Sequence, residues 1–134
     1  MFIKYSYLDN LNNFKIIEKS VSSDLDTLHL ILPELHASYC NEKSEYKFYS
    51  KNNTPSILIY DDNNNLLREE YYENGVNHRL NGPSVRERAL SSDQFFYHYY
   101  INGSYFRYAN DFAIKTNHII CDECNDFCNQ NCFF

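Results

Sequence analysis

Glycine, proline, methionine and tryptophan are scarce in this chain of 134 residues, which has three glycines, three prolines, one methionine and no tryptophan. Three glycines are too few for the glycine-rich loops with which many enzymes hold phosphate groups. No apolar run approaches the ~20 residues of a membrane-spanning helix, and Met1–Asn10 lacks the layout of a signal peptide. We therefore expect neither a phosphate-loop enzyme nor a membrane partner.

Positive charge is also in short supply. Twelve Lys and Arg residues stand against 18 Asp and Glu residues, which leaves a formal net charge of −6 and an isoelectric point near 5.2. Proteins that bind nucleic acid carry clustered Lys and Arg and are usually basic, so no nucleic-acid partner is expected. Hydrophobic residues make up 43% of the chain, which is too many for a disordered polypeptide, and the length fits one domain.

Aromatic residues and asparagine, by contrast, are abundant, with 13 Tyr, 10 Phe and 18 Asn. Residues 1–21 contain two stretches of strand composition around an Asn-rich turn, which predicts a β-hairpin. One short helix, or two, is expected over Asp24–Ala37, and Pro33 limits it because a proline ring clashes with the carbonyl four residues earlier. Residues 1–45 are therefore predicted to form a small mixed α/β segment.

An internal repeat with a 28-residue offset organises the second half of the chain. Three features recur in this frame: Pro55-Ser56-Ile57 as Pro83-Ser84-Val85, Tyr71-Tyr72-Glu73-Asn74-Gly75 as Tyr99-Tyr100-Ile101-Asn102-Gly103, and Arg79 as Arg107. A degenerate earlier copy begins at Tyr46-Lys47-Phe48-Tyr49. Three features in one frame predict successive units of one supersecondary structure.

Each of the two clear copies contains an Asn-Gly pair, which predicts hairpin turns at Asn74-Gly75 and Asn102-Gly103. A two-residue type I′ turn needs positive φ at both central positions, which Asn and Gly tolerate best. The turn also sets the register of the strands. In the first copy this register places Glu70 opposite Arg79, as an ion pair, and Tyr71 opposite His78.

The register of the second hairpin divides its side chains between two faces of the sheet. Tyr100 is expected opposite Tyr105, and Tyr99 opposite Phe106. The strongly aromatic side is predicted to be buried; it holds Phe95, Tyr97, Tyr99, Ile101, Phe106 and Tyr108. The polar-aromatic side is predicted to contact a partner, because Tyr and Arg side chains dominate interface energetics. The candidate contact residues, taken from both copies, are Tyr72, His98, Tyr100, Tyr105 and Arg107.

The stretch YYENGVNHRLNGPS (residues 71–84) resembles the variant MORN-type repeat. Its usual run is aromatic-Tyr-x-Asn-Gly, two residues, His-Arg, two residues and Gly-Pro-Ala. The matching positions are Asn74, Gly75, His78, Arg79, Gly82 and Pro83, and Ser84 stands where Ala is usual. The second copy keeps Tyr100, Asn102, Gly103 and Arg107 but has Phe106 for His and Asn110-Asp111 for Gly-Pro. The resemblance covers residues 46–111.

This resemblance implies an extended array of β-hairpins. It also implies binding to other proteins and not catalysis, and it transfers no active-site residues. Repeats of this type occur in bacterial antitoxin-like proteins and in proteins of phages and large DNA viruses.

Four of the five cysteines cluster near the C-terminus, in the pattern CxxCxxxCxxxC; they are Cys121, Cys124, Cys128 and Cys132. Four thiolates complete a tetrahedral zinc site if the segment forms a compact knuckle. If the segment were one helix, the first and last cysteines would lie about 16 Å apart along the axis, too far for one zinc ion. Zinc ligation, buried structural thiols and disulfides therefore remain three alternatives.

These observations predict an α+β protein that is mainly an antiparallel β-meander of repeated hairpins. It is expected to be one domain: residues 1–45 with a short helix, residues 46–111 as repeats and residues 112–134 as a Cys-rich cap. We predict a non-enzymatic module of viral or phage origin that binds another protein, as an assembly component, a homo-oligomer or a host-factor binder. Its predicted location is the host cytoplasm or a virion. Two alternatives are an antitoxin-like or defence-blocking inhibitor with an acidic surface and a small zinc-binding protein.

Overall fold

The structure is a computed structural model that describes residues 1–22, 27–89 and 92–116 and the backbone of 120–121 and 126–127. It is mostly antiparallel β-sheet with few helices, as the sequence predicts. The strands are β1 (Phe2–Leu8), β2 (Phe14–Ser20), β3 (Lys47–Phe48), β4 (Ile57–Tyr60), β5 (Leu66–Glu70), β6 (Tyr72–Glu73), β7 (Val76–Asn77), β8 (Val85–Arg88), β9 (Phe95–Ile101), β10 (Ser104–Phe106), β11 (Ile120–Cys121) and β12 (Asp126–Phe127). The helices are α1 (Thr27–Leu30), α2 (Pro33–Tyr39) and α3 (Ala109–Thr116), and a 3₁₀ turn spans Lys51–Asn53.

The largest sheet in the described part of the chain has eight strands, in the order β10-β9-β8-β5-β4-β1-β2, with β3 also paired to β1. The other described strands form two separate two-stranded sheets, β6–β7 and β11–β12. The β1–β2 hairpin expected from the sequence is confirmed, with its register running from Phe2 opposite Ser20 to Leu8 opposite Phe14. Its turn is held by Asp9, because the backbone N–H groups of Asn13 and Leu11 donate to this carboxylate and lower its pKa.

Two rows of directly paired residues define the faces of the sheet. The front face carries the row Tyr5, Ile57, Glu70, Val85 and His98, from β1 through β4, β5 and β8 to β9. The back face carries the row Lys4, Leu58, Glu69, Arg86 and Tyr97. Because side chains alternate along a strand, every other residue of these strands can be assigned to one face.

Helices α1 and α2 cover the β1 end of the front face. Pro33 opens α2 at its first turn, where its missing N–H has no helical partner to lose, so the helical region expected over Asp24–Ala37 is two short helices. Residues 23–26 lie outside the described residues. The main core forms here; its buried members are Ile3, Tyr5, Tyr7, Leu30, Ile31, Leu35, Phe48, Ile57, Ile59 and Tyr72. Burial raises the pKa of Tyr5 to about 12.

Helix α3 covers the opposite end of the sheet on the opposite face. Phe112 and Ala113 pack on Tyr99 of β9, and Phe106 adds an edge-on ring contact to Phe112 at 5.7 Å. This confirms burial of Tyr99, but Tyr108 is 58% exposed because the chain leaves β10 after Phe106. The helix also begins at Ala109, so the expected boundary between repeats and cap at residues 111 and 112 falls inside α3.

The helices pack on only part of each sheet face, and no described helix covers the rest. On the front face the uncovered part lies over β8, β9 and β10. On the back face it lies over β2, β1 and β4. Within the described residues, no helix is long and apolar enough to cross a membrane.

Candidate functional site

The uncovered part of the front face carries the aromatic residues that the sequence assigns to partner contact. Tyr100 lies opposite Tyr105, as the Asn-Gly register predicts, with ring centroids 5.2 Å apart. The His98 ring lies 6.3 Å from the Tyr105 ring. Tyr105 is 54% exposed, and His98 and Tyr100 are half-buried. Three of the five predicted contact residues are therefore brought together.

Phe96 belongs to the same surface and was missed by the sequence analysis. It is 57% exposed, lies opposite Glu87 of β8 and shares the front face with His98. The alternation of side chains along β9 could have identified it, because residues 96, 98 and 100 lie on one side of a strand. We call Phe96, His98, Tyr100 and Tyr105 together the front patch.

A buried carboxylate lies beside this patch on the front face. Glu70 is 2% exposed and accepts hydrogen bonds from Arg68 Nε at 2.9 Å and from the Tyr72 hydroxyl at 2.9 Å. A buried charge is tolerated when it is paired and hydrogen-bonded in this way. Burial, followed by the Glu70 charge, raises the pKa of Tyr72 well above its ordinary value, so its hydroxyl remains a proton donor to Glu70.

Glu87 connects the Glu70–Arg68 pair to the front patch. Its Oε2 forms an ion pair with Arg68 Nη1, and its Oε1 lies 3.5 Å from His98 Nε2. Burial alone would lower the pKa of Arg68, but the Glu70 charge beside it raises the pKa above its ordinary value. Arg68 is thus a permanent cation between two carboxylates, and its ion pair with Glu87 holds that carboxylate near His98.

Two of the predicted contact residues lie elsewhere. Tyr72 is 2% exposed and packs on Phe48 with ring centroids 4.9 Å apart, so it belongs to the core and is not available to a partner. This corrects the expectation that it is a contact residue. Arg107 is exposed, but it lies beyond the end of β10, with its guanidinium 5.3 Å from the Tyr108 ring centroid. Arg107 therefore does not pair with His98, because the pairing of β9 with β10 ends at Tyr99 and Phe106.

The two Asn-Gly turns form where the sequence predicts them. In the first, φ is 51° at Asn74 and 82° at Gly75; in the second, φ is 49° at Asn102 and 81° at Gly103. Both central residues of each turn are in the left-handed region, which is the requirement of a type I′ turn. Glu73 pairs with Val76 across the first turn, and the second turn joins β9 to β10.

The end of the first hairpin and the two residues after it are bonded to the second hairpin by three hydrogen bonds. Gly103 N donates to Asn77 O at 2.8 Å, and Arg79 N donates to Tyr100 O at 3.2 Å. Asn102 N donates to His78 Nδ1 at 2.9 Å. His78 Nδ1 is therefore the acceptor and Nε2 carries the proton. Nε2 lies 3.2 Å from Glu73 Oε2.

Arg79 does not pair with Glu70, contrary to expectation. The guanidinium lies 4.0 Å from the centroid of the Tyr71 ring, and Nη1 donates to Pro83 O at 3.2 Å. A Cβ at Gly82 would approach Arg79 Nη1 to 3.0 Å, so the glycine leaves room for the arginine. The predicted position of His78 opposite Tyr71 is found, because His78 N donates to Tyr71 O at 3.1 Å.

Ser56 and Ser84, which are 28 residues apart, make equivalent backbone bonds. Ser56 N donates to Glu70 O at 2.8 Å, and Ser84 N donates to His98 O at 2.9 Å. The Ser56 carbonyl accepts from Ser6 N, and the Ser84 carbonyl accepts from Tyr71 N. Each buried serine therefore joins the strands on either side of it at the start of a new strand.

The predicted cysteine cluster lies outside the residues whose side chains are described. For Cys121 only the backbone is described, and Cys124, Cys128 and Cys132 are outside the described residues. Among the described side chains, no group of three or more His, Cys, Asp or Glu residues is placed to hold a metal ion. Zinc ligation by the four cysteines stays a prediction.

Comparisons of this chain with protein-family models, with curated proteins and with solved structures give no match. The chemistry of the front patch is therefore what supports a function. It presents aromatic rings beside a fixed carboxylate and guanidinium, which suits stacking and hydrogen bonding to another surface.

Proposed function

We propose that this protein is a non-enzymatic interaction module that binds another protein through the front patch. The observation that carries the proposal is the exposure of two aromatic rings, Phe96 at 57% and Tyr105 at 54%, on either side of His98. Large exposed apolar side chains gathered on one face mark interaction sites more often than isolated ones do. Aromatic anchors of this kind supply most of the binding energy in protein interfaces.

The surroundings of the patch also fit a binding surface. Glu87 is held by its ion pair with Arg68, and its Oε1 lies 3.5 Å from His98 Nε2, so a carboxylate is in place beside the rings before a partner arrives. A surface that is already ordered loses less side-chain entropy on binding. The patch thus combines apolar anchors with a polar rim, which is the usual composition of an interface.

We further propose that residues 46–111 are variant MORN-type repeats. The proposal is supported by the equal turns at Asn74-Gly75 and Asn102-Gly103 and by the equivalent bonds of Ser56 and Ser84. Repeats of this type serve binding in the proteins that carry them, in agreement with the front patch. The expectation of a viral or phage protein derives from this resemblance alone.

Site-specific photo-crosslinking tests the proposal. A photoreactive phenylalanine analogue is placed at Tyr105 or at Phe96, and, as matched controls, at the exposed Leu11 and Leu80. In a lysate of the cells in which the chain is naturally made, which for a viral or phage protein are the infected host cells, we expect one discrete crosslinked protein from the patch positions and none from the controls. Equal crosslinking at all four positions, or none at the patch, would contradict the proposal.

Affinity measurements then test the energetics with the captured protein. Phe96→Ala and Tyr105→Ala are each expected to weaken binding by about tenfold or more, with unchanged thermal melting because both side chains are exposed. Leu80→Ala is the control. A steep fall of affinity with salt would instead favour the alternative of an acidic inhibitory surface, since the net charge is −6.

A further inference from the structure

A cavity of about 530 Å³ lies on the back face of the sheet, away from the front patch. Its walls are β1, β2 and β4 and the loop that contains the 3₁₀ turn Lys51–Asn53. The volume falls within the ~300–1,000 Å³ of typical small-molecule sites. Helix α3 packs at the other end of this face, so no described helix covers the cavity.

Apolar side chains form one part of the cavity. Phe14 and Ile16 stand side by side on β2, and Leu58 of β4 lies across β1 from them. Ile16 is 52% exposed, although burial of such a side chain is favourable by about 1.5–3 kcal/mol. This surface suits the flat, apolar body of a ligand.

Two lysine side chains form the other part of the cavity wall. Lys4 and Lys51 line the cavity, and no carboxylate is among the residues that line it. Within the described residues, Lys51 has no carboxylate oxygen within 4.0 Å, and its ammonium lies 5.1 Å from the centroid of the Phe14 ring. Lys4 has a partner in Glu18 at 3.8 Å, but both side chains are exposed, and such pairs are weak. In a chain of net charge −6, this local excess of cations favours an anionic group.

The loop beside Lys51 is held in one conformation. Asn52 and Asn53 both have left-handed backbones, with φ of 55° and 56°. Thr54 donates to Lys51 O from its backbone N at 3.1 Å and from its hydroxyl at 2.6 Å. Since the loop is already ordered, a ligand that contacts Lys51 need not order its backbone.

We propose that this cavity binds a small anionic ligand with a flat apolar body, such as an aromatic phosphate monoester, sulfonate or carboxylate. The anionic group pairs with the ammonium group of Lys51, and Lys4 adds positive charge to the same cavity. The apolar body lies against Phe14, Ile16 and Leu58. This site is independent of the front patch, so either proposal can fail without the other.

Calorimetric titration of the full chain with 1-naphthyl phosphate is the test. We expect saturable binding at one site per chain, weakened by added salt because the attraction is partly ionic. Inorganic phosphate, which lacks the apolar body, and 1-naphthol, which lacks the charge, are each expected to bind at least about tenfold more weakly. No saturable binding of 1-naphthyl phosphate, or equal binding of 1-naphthol, overturns the proposal.

Substitution of the lining lysines tests whether 1-naphthyl phosphate binds in this cavity. Lys51→Gln is expected to weaken binding about fivefold, and Lys4→Gln/Lys51→Gln about twentyfold. The matched control is Lys115→Gln, which removes an exposed lysine of α3 and is expected to leave affinity unchanged. Amide chemical-shift changes on titration are expected in β1, β2 and residues 51–58. Equal affinity of Lys51→Gln and Lys115→Gln, or shifts confined to the front patch, contradicts the assignment.

Discussion

The two Asn-Gly turns have the same backbone and different surroundings. Gly75 is buried, with its N–H bonded to Phe48 O at 3.2 Å and its carbonyl accepting from Ser38 Oγ at 3.0 Å. Gly103 is exposed, and an added Cβ there would meet Val76 at an ordinary 3.5 Å. The dipeptide determines the shape of the turn, whereas the position of each copy in the fold determines how closely the rest of the molecule packs on it.

The largest expected effect comes from alanine at the two glycines. Gly75→Ala should lower the free energy of unfolding by about 3 kcal/mol and Gly103→Ala by about 1 kcal/mol. Both substitutions force a Cβ into the left-handed region, but at Gly75 the Cβ also collides with Ser38 Oγ. Urea denaturation followed by circular dichroism measures both values. Equal losses would show that the surroundings of the turn do not matter.

A smaller effect is expected at the partner of the buried turn. Ser38→Ala removes the hydrogen bond to Gly75 O and should cost about 1 kcal/mol, because the buried carbonyl loses its donor. Ser38→Ala/Gly75→Ala should cost less than the sum of the single changes, since the collision with Oγ is gone. Coupling of about 1 kcal/mol is expected from the double-mutant cycle.

The control for this cycle is Ser38→Ala/Gly103→Ala. Ser38 is not among the neighbours of Gly103, so the two changes should add within about 0.5 kcal/mol. Coupling of the same size in both cycles would mean that Ser38 acts on the whole sheet and not on the first turn.

The smallest effect concerns the link between the hairpins. His78→Ala removes the acceptor of the Asn102 N–H, which is at the surface and can bond to water, so stability should fall by less than about 1 kcal/mol. Hydrogen exchange of the Asn102 amide, measured by NMR, should nevertheless accelerate about fivefold. The Gly103 amide, bonded to Asn77 O, is the internal control. Equal acceleration of both amides would mean that the hairpins separate as units.

Local patterns predicted the parts of the fold that local chemistry controls. The Asn-Gly turns and the pairing of Tyr100 with Tyr105 follow from positive φ at two adjacent residues, which few other dipeptides tolerate. The β1–β2 hairpin follows from alternation around an Asn-rich turn. No such signal indicates that β5 ends at Glu70 and that Tyr71 separates it from β6. The predicted Glu70–Arg79 pair fails for that reason, because Glu70 pairs with Ile57 and Val85 instead.

The candidate site was also predicted only where a local pattern determines the position of a residue. Alternation along β9 places His98 and Tyr100 on one face, and the same rule applied one step further back finds Phe96. The burial of Tyr72 depends on Phe48 and on α2, which are distant in sequence. The link from Glu70 through Arg68 to Glu87 crosses β5 and β8 and requires the sheet order, which no local pattern contains.

Strand β1 pairs with β2 on one edge and with β3 and β4 on the other, and this has a consequence for the newly made chain. The β1–β2 hairpin can close as soon as Ser20 has left the ribosome. On its other edge, β1 must wait for β3 at Tyr7 and Leu8, and for β4, which begins at Ile57, over Phe2–Tyr5. At ~5–20 residues per second of translation, the delay lasts several seconds. During that time Ile3 and Tyr5 are paired on one edge only, with β2, so a nascent fragment that ends before β4 is expected to be a client of chaperones, whereas one that ends after β5 is not.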